Sequence, residues 1–272
     1  MIIIVKLIKA SWKNIIFIYF LFIFFIFSFE DLGKGLIQIL EDGKNGSLLV
    51  VDDKGPHYVC VCDVKQARGL DYIGRLPDKL KANAFFQRCD VTDEEDFKAA
   101  FDKTIEVFGK IDIVVNNAGI QDEHNWKYTI EVNLMAVIQG VKLAFQYMGV
   151  DKGGKGGSVV NTASIAGLIE IPLSPAYCAT KHAVVGLTKS YGAEYHLKKS
   201  GIKVNAICPV AANTNLHDTF FLHCLDVEEG YKFADTFPLI PYKDIGKGLI
   251  QILEDGKNGS LLIVDENGPY YV

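Results

Sequence analysis

Apolar and polar positions along the chain fall into two regimes. From Tyr58 onward, short apolar runs alternate with longer stretches in which apolar residues return every three or four positions. The runs predict strands: YVCVCD (58–63), AFFQRCDV (84–91), IDIVVNNAG (111–119), SVVNTAS (158–164) and IKVNAICP (202–209). The stretches predict helices at about 71–81, at 93–109 with Thr92 as its candidate N-cap, at 131–148 and at 176–198. EYHLKKSG (194–201) ends the last of these with basic residues and a glycine stop. Apolar strands without alternation, separated by helices, specify an α/β fold with a doubly wound parallel sheet, Rossmann-like. Such a sheet binds ligands beyond the carboxyl ends of its strands.

Before Tyr58 the pattern changes. Residues 1–29 form an apolar segment: Lys6, Lys9 and Lys13 precede IIFIYFLFIFFIF (15–27). Basic residues before an apolar run describe a membrane anchor or a signal sequence. The run is shorter than the ~20 residues of a spanning helix, and no small-residue cleavage site follows. A buried strand or a gene-assembly artefact is the bland alternative. Residues 30–59 then hold a duplicate of the chain's own end. DLGKGLIQILEDGKNGSLLVVDD (31–53) returns as DIGKGLIQILEDGKNGSLLIVDE (244–266). Two copies at opposite ends do not make a solenoid, which needs at least three stacked units. Each copy reads as helix, DGKNG turn, strand.

Composition narrows the class. A chain of 272 residues has ample material for one large α/β domain, expected here at 58–272. The net charge of −5 is mild and no basic stripe exists, which excludes nucleic acid as a partner. The six cysteines show neither C-x-x-C nor zinc spacing, so no metal site is expected. Cysteines inside apolar runs fit a reducing compartment, and a cytoplasmic location is expected, with membrane anchorage through 15–27 as the alternative.

Candidate chemistry sits where the predicted strands end. Tyr177 and Lys181 share a helix face, and an ammonium beside a phenol favours the phenolate, a base. Ser164 closes the strand thirteen residues earlier. Asn116 opens NNAG at another strand end, and Asn133 follows on the next helix. Asp63, Asp90 and Val91 close two earlier strands, and Thr214 lies just beyond NAICP. GGKGG (153–157) precedes a strand and reads as a flexible turn. His182 reads as structural or solvated.

This order of motifs resembles the short-chain dehydrogenase/reductase family, from about Tyr58 to the C-terminus. Within it, NWKYTIEVNLMAVIQG and the closing KDIGKGLIQILEDGKNGSLLIVDENG are most similar to the branch that acts on prostaglandin-like alcohols. The resemblance implies an NAD-dependent oxidoreductase that moves hydride between nicotinamide and a secondary alcohol, with a small-molecule alcohol or ketone as substrate. Tyr177 would be the general base, Lys181 would lower its pKa and hold the nicotinamide ribose, Ser164 would bind the substrate oxygen, and Asn133 would support a water relay. Asp63 would bind the adenosine ribose and favour NAD over NADP. Asp90 and Val91 would flank adenine, Asn116 would line the cofactor cleft, and Thr214 would touch the nicotinamide amide. The family also implies a homodimer through the helices of Asn133 and Lys181. Residues 218–241 occupy its substrate-lid region, where Phe220, Phe221, Leu222 and Phe233 either face a lipid-like substrate or pack on the body.

Two departures stand out. The family's T-G-x-x-x-G-x-G turn, which brings backbone N–H groups and a helix N-terminus to the pyrophosphate, occurs nowhere in the chain. IIFIYF could mimic the first strand, Gly33 and Gly35 part of the turn, DLGKGLIQILEDG the first helix, and SLLVVD the second strand with Asp52 as a rival acid. Glu30 and Asp31, however, would repel a pyrophosphate. The alternative reading is a displaced ending: the tail of an upstream gene copy joined to one that lost its first exon, leaving an inactive paralogue that cannot bind the dinucleotide. The second departure is Val210, where the family has glycine after the proline.

Overall fold

The computed structural model describes residues 2–6, 36–40, 47–51, 58–75, 81–211, 220–234, 238–255 and 257–272. Expectations about 15–27, Gly33, Gly35, Glu30, Asp31, Asp52 and Thr214 lie outside these residues.

Ten strands are described. β1 (Ile2–Lys6), β4 (Tyr58–Asp63), β5 (Ala84–Arg88), β6 (Ile113–Asn116), β7 (Gly157–Thr162), β8 (Ile202–Pro209), β9 (Leu261–Asp265) and β10 (Gly268–Tyr271) form one sheet in the order β10-β9-β8-β7-β6-β1-β4-β5. β2 (Leu36–Leu40) and β3 (Ser47–Val51) pair only with each other. The five strands expected from the apolar runs are all present. β4 and β5 are parallel, as are β6, β7, β8 and β9, which is the doubly wound α/β arrangement.

The centre of the sheet departs from the expectation. Its slot between β4 and β6 is filled by Ile2–Lys6, and this strand runs antiparallel to both neighbours. Ile2 stands opposite Cys62 and Asn116, and Lys6 opposite Tyr58. The strand therefore begins at the carboxyl edge of the sheet and leaves from the other edge. A run of three isoleucines and a valine has high strand preference, and a central slot offers ladder partners on both sides. The first repeat copy also departs: LIQIL at 36–40 is a strand in a hairpin, not a helix.

Helices follow the strands with shifted boundaries. α1 (Gln66–Arg75) starts five residues earlier than expected, because the Asp63 carboxylate accepts the Lys65 N–H at 2.8 Å and turns the chain at once. α2 (Glu94–Phe108) is capped by Asp93, not Thr92; Asp93 accepts from the Glu95 and Asp96 N–H groups, while the Thr92 hydroxyl is spent on Asp90. The helix around Asn133 begins earlier than expected: α3 (Trp126–Ile130) continues through a π turn (Glu131–Met135) into α4 (Ala136–Met148). The helix expected at 176–198 is broken into α5 (Pro175–Tyr191) and α6 (Glu194–Ser200). The Asn258 amide takes the Gly192 carbonyl at 2.7 Å, and a Cβ on Gly192 would stand 2.3 Å from Gly259, so the chain turns there. Gly201 stops α6 with φ 68°. Among the described residues, α7 (Val227–Ala234) and α8 (Tyr242–Asp255) follow.

Apolar side chains of β4, β6, β7 and β8 meet Phe97 and Phe101 of α2 and Val141, Leu143 and Ala144 of α4 in the main core. A second cluster joins β8 and β9 to Val137 of α4 and Val184 of α5. This packing fixes α5 against the carboxyl end of the sheet.

Candidate active site

Three of the expected residues come together at the start of α5. Ser164 leaves β7 in extended conformation, and its hydroxyl accepts the Ala166 N–H at 3.1 Å, capping the short turn Ile165–Gly167. The same side chain lies near enough to Tyr177 to favour its phenolate. Lys181, one turn on, places its ammonium 5.5 Å from the centre of the Tyr177 ring and donates to the Thr162 carbonyl at 2.9 Å. Tyr177 and Lys181 are both buried.

Burial sets the electrostatics. It pushes the Tyr177 phenol up to about 12 and the Lys181 amine down to about 8. The sequence suggested the opposite for Tyr177, a pKa lowered by Lys181. Here desolvation of the phenolate outweighs the help from Ser164, and the lysine head is held by a backbone carbonyl over the ring face.

Asn133 sits in the π turn, fully buried. Its amide accepts from Ile120 N–H at 2.8 Å and donates to the Ile120 carbonyl at 2.7 Å. It thereby clamps the loop after NNAG. Gly119, the last residue of NNAG, lies between Asn133 and Lys181: a Cβ there would meet Asn133 Oδ1 and Lys181 Nζ, each at 3.6 Å. A π turn at this position fits the tendency of such turns to mark functional sites.

The other expected residues among those described lie at or just beyond the carboxyl ends of the strands. Asp63 is buried at the end of β4. The Asp90 carboxylate accepts from Thr92 N–H and hydroxyl, and Val91 packs on the main core. Asn116 is buried at the end of β6, where its amide donates to Asn161 on β7, which donates to Thr188 on α5. Asn116 Oδ1 has no protein partner and faces Gly140, where a Cβ would intrude to 2.1 Å. His182 holds the Cys178 carbonyl in its own helix, a structural role. Val210 donates its N–H to the Val264 carbonyl at 3.0 Å and so continues the sheet.

Of the two expected roles, the lid-region phenylalanines show packing on the body. Phe220 and Phe233 pack against Tyr177, Cys178, Ile171 and Ala166, and the Phe220 ring meets Tyr177 edge-on at 6.1 Å. Phe221 is buried, and Leu222 is half exposed.

Sequence reasoning missed the segment Gln121–Glu123. The buried Glu123 carboxylate accepts the N–H groups of Ala176 and Tyr177, each at 2.9 Å. Gln121 donates to the Ser174 hydroxyl and to the His223 carbonyl. Glu123 lies 53 and 54 residues from its partners, so no spacing rule reveals it; in the sequence it reads as a polar residue ahead of α3. All six cysteines are buried and free, and no cluster with metal-binding character exists among the described residues.

Fold and site together define a nicotinamide-type α/β enzyme scaffold, and comparison places it. The sequence model of the short chain dehydrogenases matches residues 49–223. The human (Homo sapiens) 15-hydroxyprostaglandin dehydrogenase, designated NAD(+), is 37% identical over 218 residues, spanning 75% of this chain and 80% of that protein. The alcohol dehydrogenase-related 31 kDa protein of Drosophila melanogaster is 32% identical over 196 residues, 70% of each chain. Among solved structures, the 3-ketoacyl-(acyl-carrier-protein) reductase from Brucella melitensis, complexed with NADH, superposes with TM-score 0.64 at 26% identity, covering 76% of this chain and 85% of that one. The chain belongs to the short-chain dehydrogenase family of oxidoreductases, and it is similar to the prostaglandin-dehydrogenase branch within it.

Among the described residues no helix is long and apolar enough to cross a membrane.

Proposed function

We propose that the protein is an NAD-dependent dehydrogenase acting on a secondary alcohol of prostaglandin-like or hydroxylated fatty-acid type. The observation that carries this reading is the convergence of half-buried Ser164 with buried Tyr177 and Lys181 at the start of α5. In this reading Ser164 holds the substrate oxygen and Tyr177 takes the alcohol proton. Charged Lys181 stabilises the resulting phenolate and holds the ribose. Asn133, which clamps the loop at Ile120, supports a water relay to Lys181. Phe220 and Phe233 supply an apolar wall suited to a lipid chain. When bound, the nicotinamide supplies the hydride acceptor or donor.

The residues present fit the cofactor unevenly. Asp63 at the end of β4 suits the adenosine ribose hydroxyls and disfavours a 2′-phosphate. Asp90, Val91 and Asn116 line the same edge, and Thr214 is assigned the nicotinamide amide by resemblance. The pyrophosphate has no glycine-rich turn in the sequence, and the antiparallel β1 cannot lead one into a helix at this edge. That observation favours a second reading, a folded paralogue that no longer binds the dinucleotide. We assign residues 58–272 to the dehydrogenase domain, with β1 completing its sheet. The family's homodimer, through α3, α4 and α5, and a cytoplasmic location are part of the first reading; the exposed Trp126 and Met135 and the six free cysteines support them.

The test is NAD titration by tryptophan fluorescence and thermal shift, with turnover of prostaglandin E2 followed as NADH absorbance. The first reading expects saturable binding, and loss of turnover by about 100-fold or more in Tyr177→Phe. No shift at millimolar NAD leaves only the second reading.

A further inference from the structure

Tyr177 is held from a direction that its catalytic neighbours do not explain. α5 starts at Pro175, and its preceding residue, Ser174, makes no capping bond from its own side chain. The first N–H groups of a helix need acceptors when buried. They find one in Glu123, which arrives from the loop after β6 and accepts from both Ala176 and Tyr177 at 2.9 Å. A carboxylate there also meets the positive end of the helix dipole. The Tyr177 backbone is thus anchored by a charge-assisted bond to its own N–H.

The same loop is tied to the base of the lid. The Glu123 N–H donates to the His223 carbonyl at 2.9 Å, Gln121 donates to that carbonyl and to Ser174, and the Leu225 N–H donates to the Leu173 carbonyl. His223 Nδ1 lies 3.7 Å from the Asp122 carboxylate. One short segment therefore joins the start of the catalytic helix to the strip carrying Phe220 and Phe221.

We propose that Glu123 is a positioning residue: by bracketing the Ala176 and Tyr177 N–H groups and the His223 carbonyl, it sets the placement of the Tyr177 phenol and couples it to the seating of the lid base. This rests on the dehydrogenase reading for its catalytic consequence, but not for its structural one. Hydride and proton transfer need reacting atoms aligned closely, and a shift near 1 Å can cost on the order of 100-fold in rate.

The experiment compares wild type, Glu123→Ala and Glu123→Gln by hydrogen exchange and by kinetics with NAD and prostaglandin E2. In Glu123→Ala, exchange at 174–178 and 221–225 should rise about tenfold or more while 157–162 in β7 keeps its protection. kcat should fall between about 10- and 100-fold with KM within about threefold. Glu123→Gln keeps the side chain's shape and one acceptor, and should recover at least part of both. Equal loss of protection across the sheet, unchanged protection at 174–178, or faster exchange there with unchanged kcat would each overturn the assignment. If the wild-type chain turns over no alcohol, the dehydrogenase reading fails, and exchange alone decides: local deprotection at both segments supports the bracket, and its absence overturns it.

Discussion

The pentapeptide Leu-Ile-Gln-Ile-Leu occurs twice, and the molecule folds it in two ways. At 36–40 it is strand β2, paired antiparallel with Ser47–Val51. At 249–253 it lies within α8. The flanking residues are nearly the same, including the DGKNG turn that follows. Intrinsic preferences for leucine and isoleucine differ by less than about 1 kcal/mol between helix and strand, too little to settle the matter. The surroundings do. In the second copy β8 and β9 offer an apolar floor, on which Ile245, Leu249, Ile250 and Ile252 are buried. Gly248 lets the helix approach that floor: a Cβ there would stand 2.7 Å from the side chains of Leu262 and Val264. In the first copy the described strands have only each other in their sheet, and there the same residues satisfy their backbone as a hairpin.

The sharpest way to break this contrast is a matched pair of prolines. Ile250→Pro removes a hydrogen bond inside α8 and should cost about 3 kcal/mol or more in urea unfolding. Ile37→Pro, at the equivalent place, should cost under about 1 kcal/mol, since a two-stranded hairpin adds little by itself. Equal losses would mean that the first copy is part of the core.

A smaller effect separates lysines by burial. Lys181 has a folded-state pKa of about 8, below its ordinary 10.5. Between these values the unfolded chain holds more protons, so its contribution to stability rises with pH from 8 to 10.5 and is lost as pH falls through 8. Lys181→Met should abolish that rise and raise stability at pH 7 by roughly 1–3 kcal/mol. Tyr177 has the opposite sign: its contribution is full below pH 10 and is lost as pH climbs toward 12. Thermal unfolding from pH 7 to 10 reads the lysine part.

Two near-neutral outcomes sharpen the comparison further. If the first copy does not replace the cofactor's turn, deletion of 31–52 should leave the NAD dissociation constant within about twofold, well under 1 kcal/mol. A tenfold loss by calorimetry would give that copy a role in the site. Lys247→Met removes an exposed pair with Asp244 and should change stability by less than about 1 kcal/mol, at any of these pH values.

Much of the body could be read in advance. YVCVCD and IKVNAICP are continuous apolar runs, and a strand covered on both faces has few other ways to bury them. Tyr177 and Lys181 were readable because helical spacing puts them on one face, and Ser164 because it ends a strand. Other features escaped because their cause is distant in the chain. Gly192 ends α5 through Asn258, and Glu123 caps it from a loop 53 residues away. The bond from the Asn116 amide to Asn161, its register partner on β7, is likewise set by the sheet and by no near neighbour in the chain.

By itself the sequence determined the α/β class and the order of the parallel strands' polar ends, and its resemblance to the short-chain dehydrogenases singled out Ser164, Tyr177 and Lys181. These follow from local periodicity and from motifs that need only neighbours a few residues apart. Tertiary structure alone decided three things: that Ile2–Lys6 enters the central slot antiparallel, that burial pushes Tyr177 up and Lys181 down, and that one pentapeptide is a strand near one end and a helix near the other. In each case the deciding free energy lies in the surface or solvent that a residue meets after folding, and that is not written at its own position.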